Sequence, residues 1–266
     1  MKKKKTGSGA VLAAIGIYLL IPLFFTFLYS MFSEWMEIMP EGFTLRAYAE
    51  IFSDREFWMS LGRTILISVL PIILCTLAVL LAMYVVVVYC PRLDKYMKIL
   101  CTMPYAIQGV ILPISVLSLY ADAPEPFSNR LFMLTSTYCI VALPYVYQGI
   151  RNNLNGLNAQ RLIEAAQMLG AGPFYAFFHI VVPNIMGGVM VSAMLAMAIV
   201  FGDFVVINTM AGNYFPTAQM YLYDVMKKSS QRTCAVIIVL FCVTLLISGL
   251  VFLGGKGKRE DKKCHI

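Results

Sequence analysis

The sequence predicts an all-α integral membrane protein with six transmembrane helices. Of its 266 residues, 60% are hydrophobic and only 13% are charged, and its mean hydropathy is +0.77. Six apolar stretches are each long enough to cross about 30 Å of hydrocarbon at about 1.5 Å per helical residue. The net charge of +7 is compatible with nucleic-acid binding, but the basic residues gather at the ends of the apolar stretches. That position is typical of residues that orient a protein in a membrane. We therefore expect a lipid bilayer, and no nucleic acid, as a partner.

The first predicted span, residues 10–32, follows a basic N-terminal segment, residues 1–9. A secretory signal has an apolar region of about 7–15 residues before a small-residue cleavage site. This run is longer and no such site follows it, so we expect an uncleaved helix. Residues 33–60 are polar and of mixed charge, which indicates a loop outside the cell membrane.

A core of five further spans is predicted within residues 61–254. The spans are residues 61–89, 99–120, 131–150, 185–210 and 233–254. A polar interval, residues 151–184, separates the fourth span from the fifth, and a basic tail, residues 255–266, follows the sixth. If the N-terminus is inside, fourteen Lys and Arg residues lie on the inner side and seven on the outer side. This asymmetry predicts that both termini and the polar interval are cytoplasmic.

A short helix is predicted inside the polar interval. Asn155 and Asn158 are candidates for its N-cap, residues 159–169 favour helix, and Gly170 ends it. At about 100° per residue the helix has two faces. One face carries Leu162, Ala165, Ala166 and Leu169, and the other carries Arg161, Glu164 and Met168. Such a helix can pack on its own protein and present a charged ridge to a partner, although an ordinary amphipathic connector has the same pattern.

The residues of this interval also match a known pattern. The sequence Glu-Ala-Ala at 164–166 is followed after three residues by Gly170, and after nine more by Ile180 and then Pro183. This spacing resembles the EAA loop of permease subunits of binding-protein-dependent ABC importers, from which it departs only by Val182 in place of Leu. In that family the loop forms a coupling helix in a cleft of the cytoplasmic ATPase. The resemblance assigns ATPase coupling to Arg161, Glu164, Ala165, Ala166, Gly170, Ile180 and Pro183.

The resemblance implies a type I ABC importer permease fold in a bacterial plasma (inner) membrane. It implies a complex of two permease subunits, identical or homologous, with two ATPase subunits and an external solute-binding protein, working by alternating access. ATP and Mg would be bound by the ATPases, so this chain is expected to bind no cofactor.

Weaker likenesses concern the solute. The sequences Pro-Tyr-Ala at 104–106, Pro-Tyr at 144–145 and Gly-Asp-Phe-Val-Val at 202–206 look like the polyamine, ferric-iron and aminophosphonate branch of the family. Many relatives have a His where this chain has Tyr138. Tyr138 is thus a departure from the pattern of this branch. On the three matching motifs, a polyamine-like solute is the first expectation, with ferric iron and aminophosphonate as alternatives.

The sequence offers no catalytic or metal-binding constellation. It has no Walker A loop, nucleophile elbow or paired carboxylates on one short element. Its two histidines, His179 and His265, cannot form a His-rich metal site, and its seven cysteines include no CxxC pair. We expect a subunit that is not an enzyme and that leaves ATP hydrolysis to its partners.

Polar residues inside the spans are the candidates for a solute path, because unsatisfied polar groups are costly in hydrocarbon. Gln108, close to Tyr105, lies ten residues into the third span from Lys98, which is about 15 Å deep. A hydrogen bond to a neighbouring helix would explain this amide equally well. Asp203 lies near the outer end of the fifth span, where it can contact solute or a gate. It can also be an interfacial acid or a partner for an arginine, Arg63 or Arg130.

A rival interpretation is an ion-coupled secondary transporter or channel, which also uses broken helices and intramembrane carboxylates. It predicts transport by the chain alone. Copurification of an ATPase distinguishes the two interpretations.

Overall fold

The computed structural model describes residues 4–34, 41–107, 109–125 and 127–260. Gln108 lies outside these residues. The described chain is mostly helical, and its one sheet is a hairpin in which strand β1 (Phe32–Glu34) pairs antiparallel with strand β2 (Glu41–Phe43). Phe32 is opposite Phe43, and Glu34 is opposite Glu41.

The helices follow one another with short connections. In chain order they are α1 (Lys4–Ser30), α2 (Arg46–Ser53), α3 (Arg55–Val88), α4 (Asp94–Thr102), α5 (Ile111–Tyr120), α6 (Arg130–Leu157), α7 (Ala159–Met168), α8 (Pro173–Ala176), α9 (Val182–Phe201), α10 (Val205–Met210), α11 (Ala218–Met226) and α12 (Ser230–Glu260). Short 3₁₀ turns occupy Pro91–Leu93, Met103–Ile107 and Gly212–Tyr214, and a π-helical turn, Phe177–Val181, joins α8 to α9.

Among the described residues, four helical segments are long and apolar enough to cross a membrane. They are Arg55–Val88, Arg130–Leu157, Pro173–Phe201 and Ser230–Gly249. The third predicted span adds a fifth if its two parts, Pro91–Ile107 and Ile111–Tyr120, are counted as one broken span. The apolar part of α1 within the described residues, Ala14–Ser30, is shorter than these. The structure confirms a helical membrane fold and does not confirm the count of six.

Two predicted spans are broken. The two parts of the third span are inclined at 103°, more than a proline kink, and Gly109 between them has φ +87°, a left-handed conformation that favours glycine. The fifth span was predicted to run through residue 210, but α9 ends at Phe201 and α10 begins at Val205. Hydropathy did not reveal this second break, because the residues on both sides of Asp203 are apolar.

The chain forms two compact units. The first combines Met1–Ser60 with Tyr221–Leu245. Inside it Phe57 is fully buried with its ring centroid 5.6 Å from that of Tyr221, whose hydroxyl donates to Asp54 Oδ2 at 2.7 Å. Glu50 lies between two arginines: Arg46 Nε donates to it at 2.8 Å, and Arg232 forms an ion pair with it. The hydrogen bond from Arg46 is the main cause, with a smaller contribution from Arg232, that holds the pKa of the Glu50 carboxyl below its usual value.

The second unit, Leu61–Met220 with Leu246–Ile266, contains two apolar clusters. The larger cluster joins α3, α6 and α9 to the segment of α7 and α8, and the smaller joins α6 to α10 and the first half of α3. Helix α6 therefore runs through both clusters. Val146 and Ile150 in the larger cluster and Leu134 in the smaller are fully buried.

The contact between α6 and α9 depends on two glycines. A Cβ at Gly149 would lie 2.1 Å from Cβ of Ser192, and one at Gly188 would lie 2.1 Å from the side-chain amide of Asn153. Asn153 is held in place because its Nδ2 donates to the Gly149 carbonyl at 2.7 Å. Small residues are what allow two helices to pack this closely.

Substituting Gly149→Ala should therefore destabilise the protein by about 1–3 kcal/mol, the usual cost of overpacking, because Cβ of Ser192 cannot rotate away. Gly156→Ala on the same helix is the control, since a Cβ there meets nothing within 4 Å. The measurement is the thermal melting temperature of the purified protein in detergent. Equal melting temperatures for the two variants would contradict the packing described.

Candidate functional site

Helix α7 begins at a left-handed joint with α6. Asn158 has φ 50° and ψ 51°, and it is both the C-cap of α6 and the N-cap of α7. It is the one non-glycine residue with positive φ in the part of the chain that the structure describes, and Asn tolerates this conformation better than most residues. The prediction of a side-chain N-cap was wrong: Asn158 makes no side-chain cap hydrogen bond, and Asn155 lies inside α6. Asn158 acts through its backbone.

Helix α7 ends in a Schellman motif. Gly170 has φ +88°, its N–H donates to the Gln167 carbonyl at 2.9 Å, and the Ala171 N–H donates to the Ala166 carbonyl at 3.0 Å. The helix therefore covers Ala159–Met168, within one residue of the predicted range, and ends at the predicted glycine. Left-handed residues fix both ends of α7, so its direction is set by backbone geometry.

The buried face of α7 differs from the predicted one. The buried residues are Ala159, Ile163 and Ala166, spaced four and three apart on one stripe. Of the predicted apolar face only Ala166 is buried; Leu162 is half-buried, and Ala165 and Leu169 are exposed. The joint at Asn158 fixes the rotation of the helix, and Leu169 falls at the C-cap, beyond the last helical residue.

The outward side of α7 combines charge with apolar surface. Arg161 and Glu164 are exposed, as predicted, and Glu164 accepts a hydrogen bond from Gln160 Nε2 at 3.2 Å. Next to them Met168 is 89% exposed and Leu169 is 90% exposed. Two adjacent exposed apolar side chains beside charged ones are typical of a surface that a protein partner covers.

A groove of about 510 Å³ runs along α7. Met83 and Val86 of α3 contribute apolar walls, and Asp94, Arg161 and Glu164 contribute charged ones. Glu164 and Arg161 therefore border a concave surface as well as an open one.

The chain that follows α7 is anchored on α3 by aromatic rings. The Tyr84 ring centroid lies 5.5 Å from that of Phe174, 5.4 Å from that of Phe177 and 6.1 Å from that of Phe178. Ile180 is half-buried in the π-helical turn and packs on the larger cluster, while Pro183 is exposed near the start of α9. Ile180 and Pro183 thus lie in the segment that returns the chain to the membrane, not on the outward side of α7.

Asp203 lies at the break between α9 and α10. Its Oδ2 accepts a hydrogen bond from the Val206 N–H at 2.9 Å and another from the hydroxyl of Tyr138 at 3.1 Å. The first bond caps the first turn of α10 from one residue before its N-cap, Phe204. The second joins the break to α6, where Tyr138 is fully buried. The arginines proposed as its partners make other contacts, since Arg63 lies 5.6 Å from the Phe215 ring centroid and Arg130 5.6 Å from that of Tyr214.

Tyr105 and Asp203 both contact α6. The Tyr105 ring centroid lies 5.2 Å from that of Tyr145, while Asp203 binds Tyr138. Tyr138 and Tyr145 are seven residues apart, which is two helical turns and about 10 Å along one face of α6. The sequence contains a phenol, Tyr138, in one span and a carboxylate, Asp203, in another, and only the fold shows that the two meet.

The described residues include no group of three His, Cys, Asp or Glu side chains that could hold a metal ion. The site contains helix α7, which left-handed residues fix at both ends and whose outward face carries both charged and apolar side chains. It also contains two helix breaks that contact one face of α6.

Comparison with known proteins agrees with this arrangement. The family model described as "Binding-protein-dependent transport system inner membrane component" matches residues 58–255. The 2-aminoethylphosphonate transport system permease protein PhnV of Salmonella typhimurium is 22% identical over 249 residues, 92% of this chain and 92% of that protein. A spermidine/putrescine transport system permease protein PotC homolog of Mycoplasma pneumoniae is 24% identical over 202 residues, 75% of this chain and 70% of that protein.

A solved structure shows the fold. The crystal structure of a bacterial ABC transporter involved in the import of the acidic polysaccharide alginate includes a chain that matches 94% of this chain and 97% of its own length, with a TM-score of 0.70 and 15% identity. Together with the family match this favours the importer over the ion-coupled transporter. The chain belongs to the family of inner-membrane components of binding-protein-dependent transport systems, and it is a multi-pass permease subunit of an ABC importer and not an enzyme.

Proposed function

We propose that this chain forms, with a second permease subunit, the path by which a small solute delivered by an external binding protein enters the cell. The proposal rests on the left-handed residues Asn158 and Gly170, which fix the two ends of α7. The residues that this orientation exposes are Arg161, Glu164, Met168 and Leu169. A helix fixed at both ends can transmit a displacement that a flexible loop would absorb.

The partners of α7 in this proposal are two ATPase subunits, one for each permease. Apolar Met168 and Leu169 would enter the ATPase surface, and Glu164 would pair with a basic residue there. ATP and Mg would be bound by the ATPases, with no cofactor on this chain. ATP-driven closure of the ATPases would bring the two coupling helices together and open the paired permeases outward. The free energy of coupling then comes from contacts that differ between ATP states.

The proposed solute is polyamine-like, with an aminophosphonate as the alternative. The two relatives compared above are named for 2-aminoethylphosphonate and for spermidine/putrescine. These compounds share a primary ammonium group, which ferric iron, the third candidate from the sequence, lacks. A carboxylate such as that of Asp203 is the side chain suited to contact an ammonium group in a membrane path.

We also propose six spans with both termini in the cytoplasm, supported by the distribution of Lys and Arg. In a variant without native cysteines, a cysteine placed at position 161 or 258 should react only after the membrane is permeabilised. A cysteine at position 228 is the control and should react from outside. External labelling at position 161 would contradict this orientation.

The variant Asp203→Asn separates a solute contact from a structural cap. Asn caps a helix about as well as Asp, so the complex should assemble normally, but the charge available to a cationic solute is lost. We expect reduced solute uptake with unchanged amounts of complex. Tyr138→Phe is the control, since it removes one hydrogen bond and leaves the charge. Normal uptake by Asp203→Asn would show that the carboxylate serves only as a cap.

Docking of the ATPase should depend on Glu164 and on the turn at Gly170. Glu164→Ala removes one side of a charge pair at an interface, which typically costs more than the ~0–1 kcal/mol of an exposed pair. Gly170→Leu should weaken docking further, because a left-handed conformation costs an L-residue about 1–2 kcal/mol and relief of that strain would tilt α7.

The measurements are copurification of the ATPase and solute-stimulated ATP hydrolysis at equal membrane content of each variant. Gly172→Leu is the matched control, because Gly172 has φ −66° and open space around it. Wild-type docking by both Glu164→Ala and Gly170→Leu would mean that this segment is only a connector.

A further inference from the structure

One ion pair in the second unit joins two separate helices through a two-pronged contact. Arg151 Nε donates to Asp94 Oδ1 at 3.0 Å, and Arg151 Nη2 donates to Asp94 Oδ2 at 2.5 Å. The side chains are 25% and 36% exposed. Bidentate pairing fixes the relative orientation of the two groups as well as their distance. By contrast, the exposed pair of Lys227 and Asp224 lies within one helical turn and joins no separate elements.

The pair lies close to the joint that carries α7. Arg151 precedes Asn158 by seven residues on α6, about 10 Å along the helix axis. Helix α6 is continuous from Arg130 to Leu157, and α7 is attached to it by the joint and by buried Ile163. A force on α7 therefore acts on the end of α6 that carries Arg151.

Asp94 is the first residue of α4, near the start of the broken element that contains α4 and α5. From Asp94 the chain runs through α4 and the turn with Tyr105 to the left-handed break at Gly109. This element contacts α6 through the Tyr105 and Tyr145 rings at one point and through the pair with Arg151 at another. Cys101 of α4 also packs with α6 in the larger cluster. Apolar and ring contacts have no fixed direction, whereas the two hydrogen bonds of the ion pair fix the relative orientation of α4 and α6 as well as their distance.

We propose that Asp94 and Arg151 are a positioning pair that makes the broken element of α4 and α5 follow α6 when the ATPase displaces α7. This inference rests on the proposed function of α7 as the coupling helix. In this proposal the pair acts by joining α4 to α6, not by binding solute or ATPase. Without it the ATPase docks and hydrolyses ATP, but the element that carries Tyr105 no longer moves in step.

The test is the amount of solute transported per ATP hydrolysed in proteoliposomes that contain the whole importer. Asp94→Asn and Arg151→Gln should each lower this ratio about fivefold or more, the lower end of the usual range of coupling effects, while ATPase copurification stays at the wild-type level. Arg151→Lys keeps the positive charge but cannot form the bidentate contact, so it should give an intermediate ratio. The exchange of Asp94→Arg combined with Arg151→Asp should recover part of it. Asp224→Asn is the control and should change nothing.

An unchanged ratio in Asp94→Asn and Arg151→Gln would overturn the proposal, because the pair would then be an ordinary surface ion pair. Parallel loss of copurification and uptake, with no recovery in the exchanged double variant, would overturn it as well, because the pair would then support folding or docking. Failure of the wild-type chain to bind any ATPase is a different result. It would refute both the proposed function and the role of the Asp94–Arg151 positioning pair.

Discussion

The left-handed backbone at Asn158 and Gly170 fixes the position of α7, and the rest of the functional surface depends on it. Asn158 sets the rotation of α7 relative to α6, so Ile163 faces the core and Glu164 faces outward. The Schellman motif at Gly170 ends the helix after ten residues and leaves Leu169 exposed. Helical propensity alone would give the same ten residues without a defined face. The joint therefore converts an ordinary amphipathic segment into an oriented surface.

Within the membrane part, helix α6 organises the breaks in its neighbours. A backbone break in hydrocarbon leaves polar groups that must be satisfied by protein. The break after α9 meets this requirement through Asp203, which caps α10 and accepts a bond from Tyr138. The break after α4 lies beside the contact of Tyr105 with Tyr145. Irregular backbone thus lies against one face of α6, and α7 is attached to the end of the same helix. This continuity gives a physical route from the outward face of α7 to the breaks.

The sequence predicted the helical membrane class, the family and the bounds of α7 to within one residue, because hydropathy, glycine positions and fixed spacing are local signals. It failed where tertiary geometry decides. The rotation of α7 depends on the conformation of Asn158, so Ala165 and Leu169 were assigned to the wrong face. The break at Asp203 was hidden by apolar neighbours, and its bond to Tyr138 joins residues 65 positions apart. The count of six spans and the roles of Glu164 and Asp203 remain predictions.

We propose that the outward face of α7 is the contact through which an ATPase drives this subunit. Photo-cross-linking from single positions of α7 tests it directly in the intact complex. A photoreactive amino acid in place of Leu169, which is 90% exposed, should cross-link to the ATPase, and one in place of Tyr214, which is 67% exposed and lies beyond α10, should not. The yield from position 169 should change when ATP is added, because a contact that drives this subunit must differ between nucleotide states. An ATPase that copurifies but never cross-links from position 169 would contradict the account.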